Sequence, residues 1–445
     1  MTSNIAELID DAPLGAFHIR LIVLCGMVVL IDGYDLISMG MALPTLAKDW
    51  GMPPSEFGGA MAAALVGVLF GSAFAGYMAD KVGRRWTLIA MLFIASVFMW
   101  LCATASSMNE LIAYRFATGF GAGGSIPVAV ALTSEYAPSR YRYILVLTMY
   151  VGAPLGSAVG GFVAPPLIEQ FDWPGIFYFG SVLPIVVCIV LALFLPESIK
   201  FLTARGKPAD VIRRLLTRVR PGVDTSNTAF IVEEAPQQRG PIGELFGERR
   251  TQKTLILWVI FFAAQFVLFL VSLWLPTVYE AAGRAPAKAL NALGFYNTGA
   301  AAGALTIGLL ADKFGAPRTL KITFPFAAVA LTVLGFTSGS DGLFFSVAFV
   351  AGGAAIGSSL CLGPLAASLY PTHARSTGVG WALGIGRAGS IIAPFAGATI
   401  VGMGATIESF FLVAAAAPLV CAVGIVLLVR QIGDIEASKD VVAAH

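Results

Sequence analysis

Charge is what this 445-residue sequence has least of: Asp, Glu, Lys and Arg together make up 12% of it, against 57% hydrophobic residues. A water-soluble chain of this length would carry about twice that charged share, so a soluble enzyme of ordinary make-up is excluded. The mean hydropathy of +0.82 identifies an integral membrane protein. Lys and Arg number 28 and Asp and Glu 26, a balance that gives no basic surface for nucleic acid. There are only three histidines, and the five cysteines lie in apolar stretches with no C-x-x-C or C-x-x-H spacing, so neither a metal cluster nor a disulfide framework is expected. P-loop and nucleophile-elbow patterns are missing too, which argues against an enzyme. Residues 1–17 contain Glu7, Asp10 and Asp11 but no basic n-region or small-residue cleavage site, so a cleavable signal peptide is not expected.

What the sequence does have is apolar runs. About 20 apolar residues in helix cross the hydrocarbon layer, and spans are read near 19–47, 57–79, 87–106, 109–134, 143–167, 176–195, 254–279, 290–310, 319–338, 342–369, 376–402 and 406–429. That makes twelve, six on each side of a polar stretch, 196–253. With the N-terminus inside, 23 of the 28 Lys and Arg residues fall in inner segments and three in outer loops (Lys48, Arg284 and Lys288). The basic bias therefore places both termini on the cytoplasmic side of the membrane. Within the central stretch, ADVIRRLLTRVR (209–220) reads either as a basic amphipathic helix on the inner leaflet or as a solvated linker.

The two halves share a repeat. GYMADKVG (76–83) follows span 2 and GLLADKFG (308–315) follows span 8, both of the form G-x-x-x-D-K-x-G, with Asp80 and Asp312 separated by 232 residues. The first copy continues with Arg84 and Arg85, the second with Ala316 and Pro317. A duplicated six-helix unit implies an all-α membrane protein of two bundles, 1–195 and 254–445, related by pseudo-two-fold symmetry, joined by 196–253 and rocking around a midplane site. The Asp and Arg residues of these loops can pair in one rocking state and separate in the other.

These loops, RFATGFGAGG (115–124), PESIKFL (196–202) and the 6+6 layout together resemble the major facilitator superfamily over essentially the whole chain. Within it, IDGYDLISMG (31–40) in span 1 and GWALGIGRAG (380–389) in span 11 are similar to the aromatic acid:proton symporter family. The resemblance implies a transporter of benzoate-type carboxylates coupled to protons, needing no cofactor, in which a monomer suffices. It also implies importance for Arg115, Glu135, Arg375 and Arg387. Span 5 reads GAPLGSAVGG (152–161) and lacks the G-P-x-x-G-G order of antiporters, which favours uptake.

Only Asp32, Asp35, Arg115 and Arg387 sit well within predicted spans. A charge at a helix centre costs about 2.5–3.5 kcal/mol on the mildest scale, so each is a functional candidate. Asp32 and Asp35 lie three apart on one helix face, and two carboxylates close together in low dielectric resist double ionisation. That property suits a proton carrier; the competing reading is an Asp–Arg pair that merely holds helices together. Gly33 and Gly40 would also permit a local break in the helix. Arg387, with Gly384, Gly386 and Gly389 around it, suits bidentate capture of a carboxylate, against a competing reading in which it snorkels to the interface. Arg115 is expected to pair with Asp32, Asp35 or the substrate. Trp274, Tyr296, Asn297 and Trp381 are candidates for the walls of an aromatic site, though packing explains any one aromatic as well. Asp80, Arg84, Arg85, Glu135, Asp312 and Arg375 are assigned to gating. The alternatives are a transporter of another organic anion, a sugar or a drug, and a non-transporting sensor. A sugar site would want more Asn and Gln in the spans than Gln265, Asn297 and few others.

Overall fold

A computed structural model of the chain describes residues 2–220, 229–231, 242–247 and 250–443. The remainder of the predicted central stretch lies outside the described residues. Apart from one short parallel pair, Thr2–Asn4 (β1) with Ala229–Ile231 (β2), the regular structure is helical. The helices are α1 (Ile5–Asp10), α2 (Ala16–Asp49), α3 (Gly58–Val82), α4 (Arg84–Ala103), α5 (Met108–Tyr136), α6 (Ser139–Tyr150), α7 (Gly152–Phe194), α8 (Ile199–Ala204) and α9 (Ala209–Val219). After these come α10 (Thr251–Ala281), α11 (Pro286–Phe314), α12 (Ala316–Phe336), α13 (Asp341–Leu360), α14 (Leu362–Leu369), α15 (Thr372–Gly402) and α16 (Ile407–Ala443).

Among the described residues, eleven segments are long and apolar enough to cross a membrane. The difference from the twelve predicted spans lies at one place: Ser139–Phe194 contains both the fifth and the sixth. Its helical path is interrupted at Asp172, where φ is 58° and ψ −162°, and the Asp172 carboxylate accepts a 2.7 Å hydrogen bond from the Trp173 amide. That backbone region is otherwise almost confined to glycine. Two further breaks have a simple cause. Pro154 and Pro364 cannot donate to the carbonyls of Tyr150 and Leu360, and the helices change at Val151 and Cys361. Many large apolar side chains point outward, Leu193, Leu309 and Ile322 being about 70% exposed. Such a surface is stable only against lipid.

The described chain forms two compact units. The first comprises 1–38, 63–157 and 170–237; the second comprises 39–62, 158–169 and 238–445. In the first, α9 lays Ile212, Leu216 and Val219 into the same apolar cluster as Ile5 and Ile9 of α1. Its apolar face is thus used up within the protein, which leaves only its arginine-rich face for lipid or water. The second unit joins the far end of α2 to α10 and the start of α3 to α15: Gly40 abuts the Leu273 backbone, and Gly58 abuts Ala398.

Helices in lipid gain little from excluding water, so they associate through small residues that let backbones touch. In the first unit, Gly67 and Gly71 of α3 meet the backbone of Phe116 and Phe120, and Gly119 of α5 meets Ala64. In the second, Gly299 and Gly303 of α11 meet the backbone of Phe349 and Gly353 on α13. The register is that of the sequence repeat, since 67 and 71 become 299 and 303 on adding 232. The last glycine of each repeat loop breaks a helix with positive φ, 107° at Gly83 and 85° at Gly315. After each, a threonine returns its hydroxyl to the glycine carbonyl, Thr87 at 2.7 Å and Thr319 at 3.1 Å.

A Cβ at position 119 has no room, whereas one at position 26 meets nothing within 4 Å. Gly119→Ala should therefore destabilise the protein by about 1–3 kcal/mol through overpacking. Gly26→Ala should leave it unchanged or up to about 1 kcal/mol more stable. Melting temperatures of the purified protein in detergent, lowered for the first variant only, check this.

Candidate functional site

Asp32, Asp35 and Arg115 are 2%, 4% and 0% exposed, and no other Asp, Glu, Lys or Arg among the described residues is fully buried. All three belong to the first unit. The helix α2 that carries both aspartates is continuous; the break that Gly33 and Gly40 would have permitted does not occur. The missing side chain at Gly33 instead admits the backbone of Ala153 on α7, and the Ser157 hydroxyl bonds the Gly33 carbonyl at 2.7 Å. Tyr34, between the aspartates, anchors the helix by donating to the Ile176 carbonyl at 2.7 Å.

Of the partners open to Arg115 in the sequence, the structure selects Asp35. Its Nη1 donates to Asp35 Oδ1 at 3.0 Å and to Ser38 Oγ at 3.1 Å, and its Nη2 donates to the Asp35 carbonyl at 3.2 Å. The contact with the carboxylate is one-pronged. Asp35 Oδ2 is buried with no hydrogen-bond partner among the described residues. Formally, two carboxylates and one guanidinium sum to −1. One proton cancels that charge, and an apolar interior penalises any imbalance. Ser38, three residues past Asp35 on the same face, is a member of this group that the sequence reading passed over.

In the second unit Arg387 lies on α15, half-buried, with no ion pair among the described residues. Gly386 and Gly389 beside it pack on α10, where a Cβ at 386 would lie 3.1 Å from Gln265, whereas Gly384 faces open space. Trp274 on α10 and Tyr296 and Asn297 on α11 are buried. Asn297 donates to the Leu293 carbonyl at 3.0 Å, but the Trp274 indole N–H and the Tyr296 hydroxyl have no partner among the described residues. Buried donors of this kind are costly unless something accepts from them. Trp381 is exposed at 41% and stacks on Trp258 with ring centres 5.8 Å apart.

Most of the residues assigned to gating gather at the end of the first unit where α3 meets α4. Arg84 reaches Asp80 at 3.0 Å and Glu135 at 3.2 Å. Glu197, which the sequence reading used only as part of a family motif, accepts from the backbone N–H groups of Arg84 at 2.8 Å, Arg85 at 3.1 Å and Ser198 at 2.9 Å. A carboxylate on those amides satisfies the open N-terminus of α4 and opposes its dipole. Arg85 donates to the Ala192 carbonyl, and Ser198 to Glu135. The second copy has nothing comparable: Asp312 and Arg375 are exposed and form no ion pair among the described residues. Ala316 and Pro317 stand where the first copy has its arginines.

Removing one member of the buried pair strands the other charge, at about 3–5 kcal/mol. Asp35→Asn and Arg115→Gln should each lower the melting temperature in detergent, and the double variant should lose less than the sum of the two. Additive losses would show that the pair is uncoupled.

The chain matches the family described as Major Facilitator Superfamily over residues 24–295. It is 34% identical to the 4-hydroxybenzoate transporter PcaK of Pseudomonas aeruginosa over 427 residues, covering 96% of this chain and 95% of that protein. It is 33% identical to a gallate transporter of Pseudomonas putida, over 92% of this chain and 91% of the relative. Among solved structures, a partially occluded inward-open conformation of the xylose transporter XylE from E. coli aligns with a TM-score of 0.67 at 17% identity, covering 92% of this chain and 97% of the other. That last likeness establishes the fold alone.

Proposed function

The chain belongs to the Major Facilitator Superfamily, with aromatic acid transporters as its relatives, and we propose that it imports a hydroxybenzoate- or benzoate-type carboxylate together with protons. It is a multi-pass membrane transporter and not an enzyme. In the proposed cycle two six-helix halves, 1–195 and 254–445, linked by 196–253, alternate access to a central site. Both termini lie in the cytoplasm of a bacterial inner membrane, as the bias of Lys and Arg supports. A single chain is enough, and the cycle draws on no cofactor beyond the coupling proton.

The observation that carries this reading is the different state of the two intramembrane arginines. Arg115 is committed to Asp35, whereas Arg387 has no acidic partner among the described residues. An unpaired guanidinium at membrane depth is expensive and offers a carboxylate a two-pronged donor. Arg387 takes the carboxylate of the substrate, and the free donors of Trp274 and Tyr296, with Asn297 and Trp381, serve its ring and substituents. The proton loads on the Asp32/Asp35 pair, for which the unbonded Oδ2 of Asp35 is the natural seat. A protonated Asp35 no longer holds Arg115 as strongly, which links proton loading to helix packing. The cluster of Asp80, Arg84, Arg85 and Glu135 latches the inner face, with Asp312 and Arg375 as its weaker counterparts. One proton with one monoanion moves no net charge; each further proton would add about 2.3 kcal/mol of drive per 100 mV.

The test is accumulation of a panel of radiolabelled hydroxybenzoates and benzoate by cells carrying the protein. Uptake should collapse with a protonophore and in Asp32→Asn. Arg387→Gln should raise KM about tenfold or more. A protein correctly inserted in the membrane that accumulates none of these acids would overturn the substrate reading.

A further inference from the structure

A cavity of about 620 Å³ lies in the second unit, at the ends of α2 and α10 farthest from the repeat loops. Pro44, Met52 and Val401 contribute to its apolar wall, and its polar groups are Lys48, Thr277 and Glu280. Lys48 and Glu280 form an ion pair, the lysine side chain 67% exposed and the glutamate 12%. They are 232 residues apart, the separation of the sequence repeat. They therefore occupy equivalent positions of the two copies. The copies carry opposite charges there.

Two polar atoms at the cavity are left over. The hydroxyl of Thr277, a residue 6% exposed, makes no hydrogen bond among the described residues, and neither does Oε2 of Glu280. A threonine within a helix ordinarily bonds the carbonyl four residues back, as Thr298 and Thr332 do here. Thr277 does not, so a donor without an acceptor is buried in the wall of the cavity.

We propose that this cavity is a vestibule subsite for the aromatic carboxylate, and that the carboxylate enters by replacing Glu280 as the partner of Lys48. The carboxylate accepts from the Lys48 ammonium and the Thr277 hydroxyl, and the ring rests on the apolar wall. The exchange breaks the one ion pair that joins α2 to α10 among the described residues, so arrival of the substrate releases the outer ends of the two repeats. The subsite rests on the functional reading above, which places this end of the helices outside the cell.

Uptake of radiolabelled 4-hydroxybenzoate by the full-length protein in right-side-out vesicles separates the possibilities. Lys48→Gln should raise KM about tenfold with Lys48→Arg restoring it, and Glu280→Gln should lower KM, because the lysine is then free for the substrate. A latch that never touches substrate predicts that Lys48→Gln and Glu280→Gln shift KM in the same direction, since both break one pair; that result, or an unchanged KM in Lys48→Gln, overturns the proposal. A second readout does not need transport. All five native cysteines are buried, so the thiol of a Met52→Cys variant, on the cavity wall with Lys48 intact, is the accessible one for a cationic methanethiosulfonate reagent, and benzoate should slow its modification. Equal rates with and without benzoate also overturn the subsite. Wild-type vesicles that accumulate no aromatic carboxylate would instead overturn the functional reading, a failure visible before any variant is made.

Discussion

Hydrocarbon gives an ionised side chain neither water nor counterion, and that constraint orders the interior of this protein. Arg115 meets it by turning inward to Asp35, Ser38 and a backbone carbonyl, all on one face of α2. Because the contact with the carboxylate is one-pronged, it leaves an oxygen of Asp35 open, and with Asp32 counted the group carries a formal charge that one proton cancels. Had the guanidinium engaged both oxygens, the pair would be stable but closed to protons. Arg387 meets the constraint differently, by remaining half-buried and without an acid among the described residues, so that an anion from elsewhere completes it. The same physics thus yields a fixed pair and an open one.

The helices that carry and surround these charges touch neighbouring helices backbone to backbone. Glycines 67 and 71 on α3 and 299 and 303 on α11 serve the same contact in the two copies. The equivalence extends to the loops, where Gly83 and Gly315 both take positive φ and Thr87 and Thr319 both return a hydroxyl to them. Duplication has therefore preserved the packing surfaces and the helix stops. What has diverged is charge: the arginine pair of the first loop is Ala316–Pro317 in the second, and Lys48 faces Glu280 at the other end. A homogeneous frame with unlike charges at equivalent points is suited to latches that hold one conformation and release in another.

Glu197 shows how a latch is built from ordinary helix chemistry. Its carboxylate sits on the free amides that begin α4, and its backbone carbonyl accepts from the Tyr136 hydroxyl at 2.5 Å. Arg84, the first residue of α4, then extends to Asp80 and Glu135. The start of the central stretch is in this way tied to the ends of α3, α4 and α5 through a cap and a charge network, all at the surface of one unit.

Much of this was legible in the sequence. Twelve apolar runs, the repeated G-x-x-x-D-K-x-G loop and the four intramembrane charges follow from hydropathy, spacing and composition, because a bilayer leaves a chain few alternatives to long helices with rare, purposeful charges. The sequence also determined that Asp32 and Asp35 share a face, since that depends only on 3.6 residues per turn. It could not decide which acid Arg115 would choose, nor that Gly33 and Gly40 would serve close packing where a helix break had been conceivable. Lys48 and Glu280 sit at the repeat spacing of 232, but nothing in the sequence said that these two equivalent positions would meet. Those points belong to tertiary structure, because they turn on distances between helices that are far apart in the chain.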